Sequence, residues 1–282
     1  MAQADLAVTP PTRPGVPYAK WGLRAAALTY LLVLVAVPFG VIGVAGFRDG
    51  FDAFWASVTR PAAISALWLT IWTAAVMTAV NIVMGTMTAY VLVVFKFPGK
   101  RLLDAVIDLP FAIPTLVTGV MLVLLYGPQT PIGSWFDDQL GVKILFAPPG
   151  IILALLFIGY PFVVRAVQPV LAALDVNQPE AARTLGAGPW TIFFRVILPT
   201  IRPAIFTGGL LSFARALGEF GSLVIVSGNI PMQTQTAAVY IYGQVEAGNP
   251  EAASGVSVVL LAVALLVTLI VDLIHRAGGR RA

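Results

Sequence analysis

From Pro61 to Phe95 the chain runs for 35 positions without a charged residue. A helix needs about 20 apolar residues to cross a hydrocarbon core of about 30 Å. The run is too long for one perpendicular crossing and too short for two with a turn between them. It reads as a single long helix, tilted and extended beyond the bilayer, because tilt absorbs excess length. A second uncharged stretch, Ala25–Phe47, follows Lys20 and Arg24. It exceeds the roughly 7–15 apolar residues of a secretory signal peptide, so it reads as an uncleaved first span.

The remaining apolar windows complete an all-α, polytopic membrane fold with six transmembrane helices. The spans are expected at 25–47, 63–95, 103–126, 150–172, 203–226 and 252–273, in one membrane domain covering 23–278. Residues 1–22, with Pro10, Pro11, Pro14 and Pro17, offer little that could pack and read as a disordered tail. In the third span Pro110 and Pro114 are expected to kink the helix. Asp108 is expected near its cytoplasmic start, reaching the interface.

The basic residues choose the orientation. With the N-terminus in the cytoplasm, 13 of the 17 fall on inside segments: Arg13, Lys20, Arg24; Lys96, Lys100, Arg101; Arg165, Arg183, Arg195, Arg202; Arg276, Arg280, Arg281. Arg48, Arg60 and Lys143 fall outside, and Arg215 lies within a span. The positive-inside rule therefore puts both termini in the cytoplasm. A different span count would spoil this alternation.

Composition removes several function classes. Only 11% of residues are charged, against about 25% in soluble domains. The net charge of +4 resides in short clusters at the ends of apolar runs, which is not a nucleic-acid surface. No cysteine is present, so disulfide frameworks and thiolate chemistry are out. The one histidine, His275, follows the last span and suits a helix C-terminus at the interface. No G-x4-G-K-(S/T) phosphate loop occurs, since Gly99-Lys100 lacks the earlier glycine. With no histidine base, no thiol and no G-x-S-x-G, the chain is not expected to be an enzyme alone, nor to hold a cofactor or metal.

Between spans four and five lies a polar island, which counts four arginines when Arg165 near the end of span four is taken with Arg183, Arg195 and Arg202. Asn177 is a suitable N-cap, with Glu180 three residues on in the manner of a capping box. Pro179 fits a first turn, Ala181 and Ala182 permit close approach, and Gly186 is a natural stop. A second helix can start at Pro189, with Trp190, Phe193, Phe194 and Ile197 as an apolar stripe suited to the interface. The residues alone leave open an ordinary loop or a docking element.

The order Glu180-Ala181-Ala182-Arg183-Thr184-Leu185-Gly186, followed by Val196-Ile197-Leu198-Pro199, resembles the EAA coupling loop of ABC importer permeases. The resemblance implies the type I ABC importer permease fold (MetI-like, ModB-like), with the coupling loop at 175–199. It implies that Glu180, Ala181, Ala182 and Gly186 meet a separate ATP-binding subunit, present as a dimer, and that ATP and Mg are bound there. Val196 stands where isoleucine is common, a conservative departure.

Span five carries Arg215 and Glu219, four apart and expected on one helix face, where they can pair. Each alone would cost about 2.5–3.5 kcal/mol at mid-membrane on insertion scales. The pair either locks the bundle or faces a water-filled path, in which Arg215 becomes available to an anion. Asn81, Thr78, Thr86 and Thr88 in the long second helix could line that path, or could equally bond between helices.

Three further stretches narrow the family. Leu109–Gly119 resembles span three of sulfate and molybdate permeases. Tyr160–Leu171 and Ala214–Ser222, with Gly228-Asn229-Ile230-Pro231-Met232, resemble sulfate/thiosulfate permeases of the T-type. That resemblance implies a bacterial plasma (inner) membrane protein. Its expected partners are a related W-type permease or a second copy, the ATP-binding dimer, and an extracytoplasmic sulfate-binding protein met by Asn229, Pro231 and Met232. The alternatives are molybdate or tungstate as cargo, or a self-contained anion channel or secondary transporter. The latter predicts inverted repeats with paired broken helices, and neither charged motif recurs. A membrane enzyme lacks candidate catalysts.

Overall fold

The computed structural model describes residues 17–175 and 177–279, all of whose regular elements are helical. Of the tail expected to be disordered, residues 1–16 fall outside them and 17–22 are instead helical, in the first turns of the first helix; the side chain of His275 also falls outside. The chain divides into two compact units, residues 1–45 and 46–282. The first holds α1 (Pro17–Leu31), a π-turn at Leu32–Ala36 and most of α2 (Val37–Phe47). From Trp21 to Phe47 these make one apolar rod of 27 residues, long enough to cross a bilayer.

The second unit opens with α3 (Phe51–Val58) and α4 (Pro61–Val94). The long uncharged run is thus one helix of 34 residues, about 51 Å at about 1.5 Å per residue. Then come α5 (Lys100–Ile107), α6 (Leu109–Ala112), α7 (Thr115–Tyr126), α8 (Pro131–Leu140) and α9 (Pro148–Ala172). The chain continues with α10 (Asn177–Thr184), α11 (Pro189–Ile192), a π-turn at Phe193–Ile197 and α12 (Leu198–Leu217). It ends with α13 (Gly221–Val226), α14 (Ala237–Glu246) and α15 (Pro250–Gly279).

Two spans differ from expectation. The third is broken rather than kinked: Lys100–Ala112 and Thr115–Tyr126 meet at 110°. Pro114 has no N–H to give and drives Ile113 into extended backbone, so the helix cannot run through. Pro110 sits in the first turn of α6, where its missing donor is not needed. With 12 residues, α7 is about 18 Å long and too short to cross alone. The fifth span starts earlier and stops earlier than 203–226. It runs from Pro189 through the π-turn to Leu217, and Gly218–Phe220 separates it from α13. Among the described residues five helices are long and apolar enough to cross a membrane, and the bent pair makes a sixth if counted as one span.

The core of the second unit is the packing of α4, α9 and α12. In lipid no hydrophobic force draws helices together, so small residues must let backbones approach. Gly159 of α9 is the meeting point: a Cβ there would stand 2.5 Å from Ser212 Oγ and 2.9 Å from Asn81 Nδ2 and Met77 Sδ. Ser212 Oγ donates to the Gly159 carbonyl at 3.0 Å, and Asn81 Nδ2 donates to the Leu156 carbonyl at 3.3 Å. Replacing Gly159 with leucine should therefore destabilise the fold by about 1–3 kcal/mol, as overpacking does. Denaturation in detergent should show it as a lowered midpoint. Gly243, with nothing within 4 Å of its Cβ position, should accept alanine without loss.

Candidate functional site

The polar island is organised by its two ends. Asp175 Oδ1 accepts the Asn177 backbone N–H at 3.0 Å and its Nδ2–H at 2.8 Å. Asn177 is thus the first residue of α10 and is itself capped; Asp175 takes the capping role because its short carboxylate reaches an N–H two residues on. At the other end Gly186 adopts φ +81°. Its N–H bonds the Arg183 carbonyl at 2.9 Å and the Ala187 N–H bonds the Ala182 carbonyl at 3.0 Å. These are the two bonds of a Schellman stop, which requires a left-handed residue and so favours glycine.

Ala182 and Ala187, the apolar pair of that stop, rest on a core cluster that also contains Leu92, Ile107, Val167, Ile192 and Ile201. Glu180 and Ala181 face outward, and Leu185 is 88% exposed. So α10 projects a carboxylate and an apolar side chain while its base packs on α11 and the π-turn at the start of span five. The expected interfacial stripe divides: Ile197 is buried, as is the neighbouring Ile192, Phe193 stacks edge-on with Tyr90 at 5.6 Å, and Trp190 and Phe194 are exposed.

Arg165 belongs inside α9 rather than with the loop charges, and its five N–H groups all have acceptors. Nε and Nη2 bond the Asp108 carboxylate at 2.7 and 2.6 Å. Nη1 bonds Asp104 Oδ1 at 2.7 Å and Gln168 Oε1 at 2.6 Å, and Nη2 also bonds the Asp104 carbonyl at 2.8 Å. Asp108 therefore does not simply reach the interface; it anchors the α5–α6 arm to α9. The helical period offers a clue, since Asp104 and Asp108 are four apart on one face. Their partner, 57 and 61 residues away, leaves none.

Arg215 and Glu219 do pair, at 2.8 Å. They pair across the end of a helix and not along its face, because α12 stops at Leu217. Glu219 is 2% exposed, and its Oε1 accepts both the backbone N–H and the hydroxyl of Ser222 at 3.0 Å. A buried carboxylate needs such partners. Arg215 is partly exposed, and among the described residues Glu219 is the carboxylate it pairs with. Arg165 of α9 is saturated, whereas Arg215 has donors to spare. Arg165, Thr207 and Leu211 border a groove of 450 Å³ with Phe111 and Phe162. Leu211 stands one turn from Arg215 on α12.

Asn81 is buried and ties α4 to α9, and it also borders a groove of 620 Å³ with Met84, Thr88 and Tyr160. The Thr88 and Tyr160 hydroxyls share a hydrogen bond. The hydroxyls of Thr78 and Thr86 are buried without a protein partner. Asn229, Pro231 and Met232 lie together on an exposed loop, in which Asn229 and Met232 have positive φ. Gln235 Nε2 donates to Asn229 Oδ1 at 2.8 Å, and the Ala237 N–H donates to Thr70 of α4 at 2.8 Å, so the loop is fastened to the core. Nearby, the Tyr242 hydroxyl donates to Glu246 at 2.6 Å, which holds its pKa above the usual tyrosine range.

With this geometry in hand, comparison with known proteins is specific. Residues 81–282 match the family described as binding-protein-dependent transport system inner membrane component. The sulfate transport system permease protein CysT of Synechocystis sp. is 41% identical over 90% of this chain and 89% of its own length. CysW of the same organism is 40% identical, over 92% of this chain and 94% of its own. CysT of Escherichia coli is 35% identical, over 90% and 92%. Among solved structures, a chain of a bacterial alginate ABC transporter superposes with a TM-score of 0.75 at 18% identity, covering 92% of this chain and 94% of that one. A chain of the methionine transporter MetNI gives 0.58 at 21% identity, covering 76% and 95%. The fold is that of ABC importer permeases.

The saturated arginine generates a test. Arg165→Gln removes charge-assisted bonds to two carboxylates and should cost about 1–3 kcal/mol. Arg165→Lys should recover little, because a point charge cannot reproduce the fork. Denaturation midpoints of the three proteins in detergent measure both.

Proposed function

This chain belongs to the family of binding-protein-dependent transport system inner membrane components, and on that footing we propose that it forms half of the translocation path of a sulfate/thiosulfate ABC importer. The observation that carries the coupling part of this reading is α10, which exposes Glu180, Ala181 and Leu185 on a base fixed to the membrane core. A surface of that kind suits a groove on an ATP-binding subunit. That subunit, as a dimer, binds the ATP and Mg, and the present chain supplies no nucleotide chemistry. Because Ala182 and Ala187 share one cluster with Val167, Ile192 and Ile201, a push on α10 reaches α9 and α12 through packed side chains.

The other half of the path is a related W-type permease, this chain taking the T-type place. The exposed loop with Asn229, Pro231 and Met232 meets an extracytoplasmic sulfate-binding protein. Both termini lie in the cytoplasm of a bacterial inner membrane, as the basic residues require. Sulfate as the cargo rests on the likeness to sulfate transport system permeases. The local chemistry agrees: a tetrahedral dianion is costly to dehydrate, and a path serves it best with donors that do not trap it. Arg215, with spare donors and a neutralising Glu219, meets that description. Molybdate has the same shape and charge, so uptake has to separate the two.

In reconstituted vesicles containing the complete complex, labelled sulfate should accumulate only with ATP and should outcompete molybdate. Movement of sulfate through the isolated chain without ATP would end the importer reading. Glu180→Lys should abolish copurification of the ATP-binding subunit. A charge-assisted hydrogen bond is worth about 1.5–3 kcal/mol, so Arg215→Gln should assemble normally yet lower uptake by about tenfold or more. Unaltered uptake would remove Arg215 from the path.

A further inference from the structure

The two interrupted helices of this chain have their interruptions side by side. After Ile113-Pro114, α7 begins at Thr115; after Gly218–Phe220, α13 begins at Gly221. A Cβ on Gly221 would overlap Thr115 Oγ1 and stand 3.2 Å from the Leu116 N. A Cβ on Gly119 would stand 2.9 Å from the Ser222 carbonyl oxygen and 3.2 Å from Ile225 Cβ. Thr115 faces Gly221 and Gly119 faces Ile225, so a step of one turn in α7 matches a step of one turn in α13. The two short helices run parallel with backbone against backbone. Contact that close has no slack for one to slide on the other.

Glu219 belongs to this pair of helices, since Ser222 of α13 holds its Oε1 twice. Its Oε2 reaches back to Arg215 on α12. The Arg215–Glu219 bond is therefore the polar tie between α12 and the α7–α13 piece, beside the apolar packing of Leu217 and Leu223 in one cluster. At its far end α13 is fastened by the Phe146 N–H, which donates to the Val226 carbonyl at 3.0 Å. Freedom is left at the broken ends.

We infer that α7 and α13 move as one rigid piece, and that Thr115 and Gly221 are positioning residues that set where the Glu219 carboxylate stands against Arg215. The bond to Arg215 parts only when the breaks at Ile113–Pro114 and Gly218–Phe220 turn together. The consequence for transport rests on Arg215 facing the anion; the rigid pairing does not.

Cross-linking tests it, because the chain has no cysteine of its own. A Cβ on Gly221 lies 3.3 Å from Thr115 Cβ, close to the roughly 3.5–4.5 Å of a disulfide. In the full complex in vesicles, T115C/G221C should oxidise equally well at rest and with ATP and vanadate. The oxidised form should take up sulfate within about twofold of the reduced form, the spread of uncoupled changes. Failure to cross-link in either state overturns the inference. So does loss of uptake on oxidation that a reductant restores, because the helices would then have to separate. A second pair of variants guards against a merely misfolded one. Gly221→Ala should impair uptake, and adding Thr115→Ala, which removes the overlapping hydroxyl, should recover most of it. An equally impaired double variant overturns the positioning role. If Arg215→Gln leaves uptake unchanged while the cross-link behaves as expected, the path reading fails and the paired helices stand.

Discussion

Three helices meet at Gly159, where no Cβ keeps them apart. Ser212 bonds the Gly159 carbonyl and Asn81 bonds the carbonyl of Leu156, so α4, α9 and α12 are joined within one turn. This junction fixes the frame on which both ends of the molecule depend. At one end the same helices carry the cluster that seats α10. At the other end they carry the cluster that receives α13 and α14. A change of angle at the junction would be felt at both.

Arg165 and Arg215 show how identical groups acquire different tasks. Arg165 spends all five donors on two aspartates, a glutamine and a carbonyl, and serves as a clasp between α9 and the α5–α6 arm. Arg215 has one carboxylate partner, and that carboxylate is also held by Ser222. A saturated guanidinium has nothing left for an anion. A singly paired one can exchange its partner at modest cost, which is why the path reading attaches to Arg215 alone.

Much of the site was legible before any coordinates. The Gly186 stop, the projecting Glu180 and the pairing of Arg215 with Glu219 depend on residues within a few positions of each other. Local spacing reports such features directly. The cap was misplaced by two residues because Asp175 and Asn177 are both good acceptors, and only geometry shows which one bonds. Hydropathy carries span five through Gly218 because a break of only three residues, one of them the single carboxylate Glu219, hardly lowers the average over a span-length window. The proline in span three announced a disturbance but not its size, since the 110° turn depends on what the arm packs against.

The sequence by itself determined the helical class, the long second helix and the short polar helix α10 with its glycine stop. Hydropathy and capping are local properties of the chain, so these need no tertiary information. Only the tertiary structure decided that Asp104 and Asp108 close on Arg165, that Glu219 lies in a break, and that the breaks of two spans adjoin. Those outcomes join groups 57 to about a hundred residues apart. The backbone approach that brings them together is set by which small residues meet, a property of pairs of helices that no single stretch of chain carries.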